Sequence, residues 1–125
     1  MKVFKITYWA TTAVFSLMMA FSAYAYVTQP DVKQGFVHLG FPDYFRVELA
    51  VAKLLGAVVL LAPVATRFKE WAYAGFGIVL VSAFIAHTAA GDPLSMRIGP
   101  LVALALLLAS YFTWHKKQQP APALN

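Results

Sequence analysis

The sequence predicts an all-α fold, an integral membrane four-helix transmembrane bundle, on three observations. Hydrophobic residues make up 61% of the chain and charged residues 12%, where soluble domains run near 45–50% and 25%. Four apolar stretches are each long enough to cross about 30 Å of hydrocarbon at 1.5 Å per residue. Aromatic residues gather near the ends of those stretches, as amphipathic rings do at headgroup level.

The first stretch runs over about residues 6–27, the second over 44–62, the third over 71–90 and the fourth over 98–114. Pro63 closes the second and Gly91-Asp92-Pro93 the third. The fourth is short, which places Arg97 and His115 at the interfaces. Lys2 and Lys5 before an apolar run that ends in Ser22-Ala23-Tyr24-Ala25 resemble a secretory signal. The run from Ile6 to Val27 is 22 residues long, against 7–15 for a signal, so it is expected to stay as an anchor. Residues 28–43, "TQPDVKQGFVHLGFPD", are too polar to span, and Phe36, Val37, Leu39 and Phe41 predict a short helix or loop over one mouth of the bundle. One domain over residues 1–117 is expected, with the Pro-rich tail 118–125 disordered.

Six cationic residues (Lys2, Lys5, Arg67, Lys69, Lys116, Lys117) fall on the side of the N-terminus and three (Lys33, Arg46, Arg97) on the other. The bias puts both termini in the cytoplasm, with a bacterial inner membrane as the expected location. The formal charge of +5 reflects these loops, and no nucleic acid is expected as a partner. The bilayer is, with a homodimer or a partner membrane protein as further candidates. The chain has no cysteine, which removes disulfides, thiolate metal sites and thiol redox relays. Three histidines without metal-ligand spacing predict no metal site. There is no catalytic motif, and no catalytic residue is assigned.

Small residues recur at four-residue spacing: Thr12, Ser16 and Ala20, then Ala52 and Gly56, then Ser82, Ala86 and Ala90. Such rows let helices approach closely in lipid.

The second span carries Glu48 and Lys53. Charges inside the membrane are costly, and are functional candidates when they face the bundle interior. By helical rise, Glu48 and His87 share a depth near the mouth opposite the termini, with Arg97 and His38 close by, while Lys53 lies near mid-span. Glu48 and Lys53 are about 140° apart on their helix. The reading is an outward-facing polar pocket with Glu48 and Lys53 as wall and floor, His87 opposite, and Arg97 and His38 as further ligand-binding candidates. Plainer roles stand beside it: an interfacial ion pair for Glu48, a snorkelling stem for Lys53, a backbone hydrogen bond for His87, an interface anchor in Arg97 and a helix N-terminal carboxylate in Glu70.

The stretches "HLGFPDYF", "VAKLLGAVVLLAP" and "RFKEWAYAGFGIVLVSAFIAHTAAGDP" together resemble the DoxX-like branch of the DoxX family, over about residues 35–115, with the first span similar in kind only. The resemblance implies a four-helix membrane bundle. It marks Lys53, Gly56, Pro63, Glu70, Tyr73, Gly75 and His87 as pattern positions, Gly56, Pro63, Glu70, Tyr73 and Gly75 as structural ones. The wider family includes a subunit related to a thiosulfate:quinone oxidoreductase, redox-stress proteins and receptor-assembly chaperones, so the resemblance carries over no catalytic set. Three functions follow as expectations: a non-enzymatic subunit that binds a lipid or small amphiphile or assists assembly, a quinone-linked redox component, and a small-solute transporter. A bound quinone or lipid is the only cofactor expected.

Overall fold

The computed structural model describes residues 2–118, all organised by helices: α1 (Lys2–Thr28), α2 (Pro30–Leu39), α3 (Asp43–Leu61), α4 (Thr66–Ala89) and α5 (Leu94–Gln118). Four coincide with the apolar stretches read from the sequence; the fifth, α2, is the short element over the mouth, so the helices number five and not four. α1 and α5 extend past their apolar stretches at both ends and α4 at its N-terminal end, because polar residues continue the helix there. α3 and α4 each stop one residue short at their C-terminal ends. The tail expected over 118–125 lies outside the described residues but for Gln118, which ends α5.

Three helices, α1, α4 and α5, are long and apolar enough to cross a membrane. At 19 residues α3 is about 28 Å long, but Asp43, Arg46, Glu48 and Lys53 lie along it. The long helices form a ring in which α1 packs on α3 and α5, and α4 on α3 and α5, so every neighbour runs antiparallel. α2 lies across the ends of α1 and α3.

Tight turns at the α2 end build that cap. Pro30 begins α2 without an N–H to leave unsatisfied. Gly40, at φ 86°, reverses the chain and donates its N–H to the carbonyls of Phe36 and Val37, a left-handed conformation open to glycine. At the other end, Ala62 N–H closes on the Val58 carbonyl, and Lys69 Nζ donates to the carbonyls of Val59 (3.3 Å) and Leu60 (2.8 Å). A cation there meets both the unpaired carbonyls and the negative end of the α3 dipole.

The core gathers Tyr8, Phe15, Met19, Ala57, Leu60, Tyr73, Phe76, Leu80, Ala103, Leu107 and Trp114. Leu17, Phe21, Leu55, Ile78, Ile85 and Phe112 point outward and exposed, the arrangement suited to lipid. Of the small-residue rows, Thr12 and Ser16 are buried in the core, whereas Ala52 and Ser82 are exposed.

Candidate functional site

Lys53 is the charged group placed deepest along its helix. It stands ten residues after Asp43, about 15 Å along α3, and is only 6% exposed. Helical side chains lean toward the helix N-terminus, so its stem climbs toward the α2 end. There Nζ donates to Ser22 Oγ (3.0 Å) and Tyr26 Oη (2.6 Å), both on α1. It also lies 4.2 Å from the centre of the Tyr26 ring, within cation–π range. Tyr26 is held in turn: its ring meets Phe36 of α2 edge-on, and its backbone carbonyl accepts from Arg46. Arg46 also donates to Asp43 (3.1 Å).

Lys53 also lines an apolar cleft of about 170 Å3 between α3 and α4. Leu49, Gly56, Trp71, Gly75 and Phe76 also line it. Gly56 is where the Phe76 ring lies against the α3 backbone: a Cβ there would stand 2.6 Å from the ring. Gly75 has open space at the same position. A second cleft, of about 220 Å3 between α4 and α5, is lined by Glu70, Tyr73, Gly77, Leu104, Leu108 and Tyr111.

The other expected site residues divide into separate groups. Glu48 is exposed and turned away from the bundle interior. It makes no hydrogen bond or ion pair with Lys53 or His87, so it is not a wall of the pocket. The 140° between Glu48 and Lys53 is the reason: once Lys53 faces α1, Glu48 must face outward. His87 and His38 meet on Asp92 instead, His87 Nδ1 at 2.6 Å and His38 Nε2 at 2.8 Å. Gly91, at φ 73°, turns the chain so that Asp92 N–H reaches the His87 carbonyl (2.9 Å). Arg97 donates to the Asp92 carbonyl (3.0 Å), which makes it a brace of this turn. The imidazole of His87, and then that of His38, hold the Asp92 carboxyl below the usual carboxylate range by hydrogen bonding to its charged form. This clasp fastens α2 to the α4–α5 turn, and no hydrogen bond or ion pair joins it to Lys53.

Among the family-pattern residues, Glu70 accepts from Tyr111 (3.2 Å) and pairs with His115 (3.1 Å). It therefore ties α4 to α5 and is not the helix N-terminal carboxylate expected from sequence, because α4 begins earlier, at Thr66, and has no acidic residue in its first turn. Tyr73 shares a hydrogen bond with Ser110 (2.7 Å), which shares another with Thr12 (2.5 Å). Tyr8 lies against Thr12 and Tyr73. This buried hydroxyl network joins α1, α4 and α5. Pro63 sits in the α3–α4 turn, where a residue without an N–H ends the helix.

Sequence reasoning missed Asp92, Tyr26, Ser22 and Ser110. For Asp92 the signal was present, a Gly-Asp-Pro turn one helical turn beyond His87. The three hydroxyls carried none, since serine and tyrosine are ordinary in apolar helices. Among the described residues, no group of three or more His, Cys, Asp or Glu is arranged to hold a metal ion.

An all-helical bundle with lipid-suited outer faces and three helices fit to cross a bilayer defines a small integral membrane protein. Residues 10–110 match the DoxX-like family, and the chain belongs to that family. The match starts within α1, well before the residue-35 limit of the recognisable motifs, so the first helix is part of the family pattern. No curated protein and no solved structure gives a significant match.

Proposed function

We propose that the protein is a non-enzymatic binding or accessory subunit that holds a membrane amphiphile in the α3–α4 cleft, with Lys53 as the contact for its polar head. The observation that carries this is the placement of Lys53, buried beside an apolar cleft with only neutral side chains as partners. A cation in mid-membrane costs roughly 2.5–3.5 kcal/mol on insertion scales. Two hydroxyls and a ring face offset part of that, and a bound head group would offset more.

In this reading all four long helices cross the bilayer, α3 included. Arg46 and Asp43 lie at the α2 end of α3 and pair with each other. Glu48, five residues from Asp43 or about 8 Å along the helix, reaches the headgroup zone. Lys2, Lys5, Arg67, Lys69 and Lys116 cluster at the opposite end, which supports cytoplasmic termini and an α2 cap facing out of a bacterial inner membrane.

Mass spectrometry of an organic extract from gently purified protein tests the function, wild type beside Lys53→Ala. A stoichiometric amphiphile lost in the variant is expected. Its absence from both would overturn the reading, and an isoprenoid quinone in the extract would move the protein to the redox-linked class.

A further inference from the structure

The charge balance around Lys53 narrows the ligand. The chain has five acidic side chains. Asp43 is with Arg46, Glu70 with Tyr111 and His115, and Asp92 with His38 and His87. Asp31 is exposed on α2, and Glu48 is exposed on the outer face of α3. None pairs with Lys53. An ammonium has three donor hydrogens, and two are taken by Ser22 and Tyr26. The third has no hydrogen-bond partner among the described residues, and beyond its two hydrogen bonds Nζ meets only the neutral Tyr26 ring.

A buried cation with an unused donor and no counter-charge is selective for negative charge. A neutral head would satisfy the donor and leave the charge unbalanced; a second cation would be repelled. The adjoining cleft is apolar and runs along α3 from Leu49 to Gly56, seven residues or about 10 Å. With a volume of about 170 Å3 it suits a segment of one acyl or isoprenoid chain.

We propose that the amphiphile is anionic, its carboxylate or phosphate seated on Lys53 Nζ and one apolar chain lying in the cleft past Gly56, Gly75 and Trp71. This deepens the amphiphile-binding reading and rests on it. The shared chemistry of a fatty acid and an anionic phospholipid, one negative oxygen-rich head on an apolar chain, is what Lys53 recognises. Charge-assisted hydrogen bonds of this kind are about twice as strong as neutral ones, and they gain further in a low-dielectric setting.

The test uses Trp71, which lines the cleft and is 65% exposed. Purified protein in maltoside micelles is titrated with 12-doxylstearate and with its methyl ester, two quenchers that differ only in head charge. Trp71→Phe identifies the part of the quenching that arises in the cleft. We expect saturable Trp71 quenching by the acid at a concentration at least tenfold lower than by the ester. Lys53→Met should abolish that difference and Lys53→Arg should keep it. Displacement of the probe by palmitate, by dipalmitoyl phosphatidate or by both supports the proposal and names the source; displacement by neither overturns it. Equal affinity for acid and ester in the wild type overturns the anion and leaves amphiphile binding standing. No saturable Trp71 quenching by either probe removes both. The acid–ester comparison on the wild type decides the matter even if Lys53→Met does not fold.

Discussion

Gly56 and Gly75 face the same cleft from opposite helices, yet they should respond differently to alanine. A Cβ on Gly56 would lie 2.6 Å from Phe76 Cε2 and 2.7 Å from Cζ, while one on Gly75 would meet nothing within 4 Å. To restore an ordinary 3.4 Å contact the Phe76 ring must retreat by about 0.8 Å. It has little room, because it is 4% exposed and stands edge-on against Phe15, which is fully buried. Forcing an extra methyl into a packed core costs about 1–3 kcal/mol. The backbone contribution of glycine to alanine in a helix, at most about 1 kcal/mol favourable, is common to both sites and cancels in the comparison. Gly56→Ala should therefore be less stable than Gly75→Ala by about 1–3 kcal/mol, read as the midpoint of unfolding by SDS in mixed micelles. Equal stability of the two variants would refute the close packing of α4 on α3 that shapes the cleft.

Two further outcomes follow from the polar contacts. Ser110→Ala and Tyr73→Phe should be coupled in a double-mutant cycle by about 0.6 kcal/mol, the average for interhelical hydrogen bonds in a membrane bundle, and by no more than about 1.7 kcal/mol; additive effects would contradict the shared hydroxyl network. The Asp92 carboxyl is held below its ordinary value of 3.8, so its contribution to stability is present above that pH and lost as the pH falls through the lowered value. Thermal melting from pH 6 to pH 3 should thus fall more steeply for the wild type than for Asp92→Asn, and parallel curves would contradict the clasp.

The four long helices were legible from the lengths of the apolar stretches, although of these only α1, α4 and α5 are long and apolar enough to cross a bilayer. α2 was legible only as a cap, since a polar segment with Phe36 and Phe41 in it must rest on something without fixing what. Glu48 shows where sequence reasoning ends. Helical rise placed it near the α2 end of α3, but position along a helix says nothing of facing, and the angle to Lys53 allowed only one of the two charges into the interior. His87 and His38 were correctly grouped at one end and wrongly assigned to the Lys53 pocket, because their partner Asp92 looked like a mere turn residue. Ser22 and Tyr26 became visible only when α1 was set beside α3, a contact between residues 31 and 27 positions apart in the chain.

The most direct test of the central claim compares the lipid content of three purified proteins: wild type, Lys53→Met and Glu48→Gln. Organic extracts quantified by mass spectrometry should show one amphiphile retained by the wild type and by Glu48→Gln and lost from Lys53→Met. Loss from Glu48→Gln equal to that from Lys53→Met, or retention in all three, would contradict a site built on Lys53 alone.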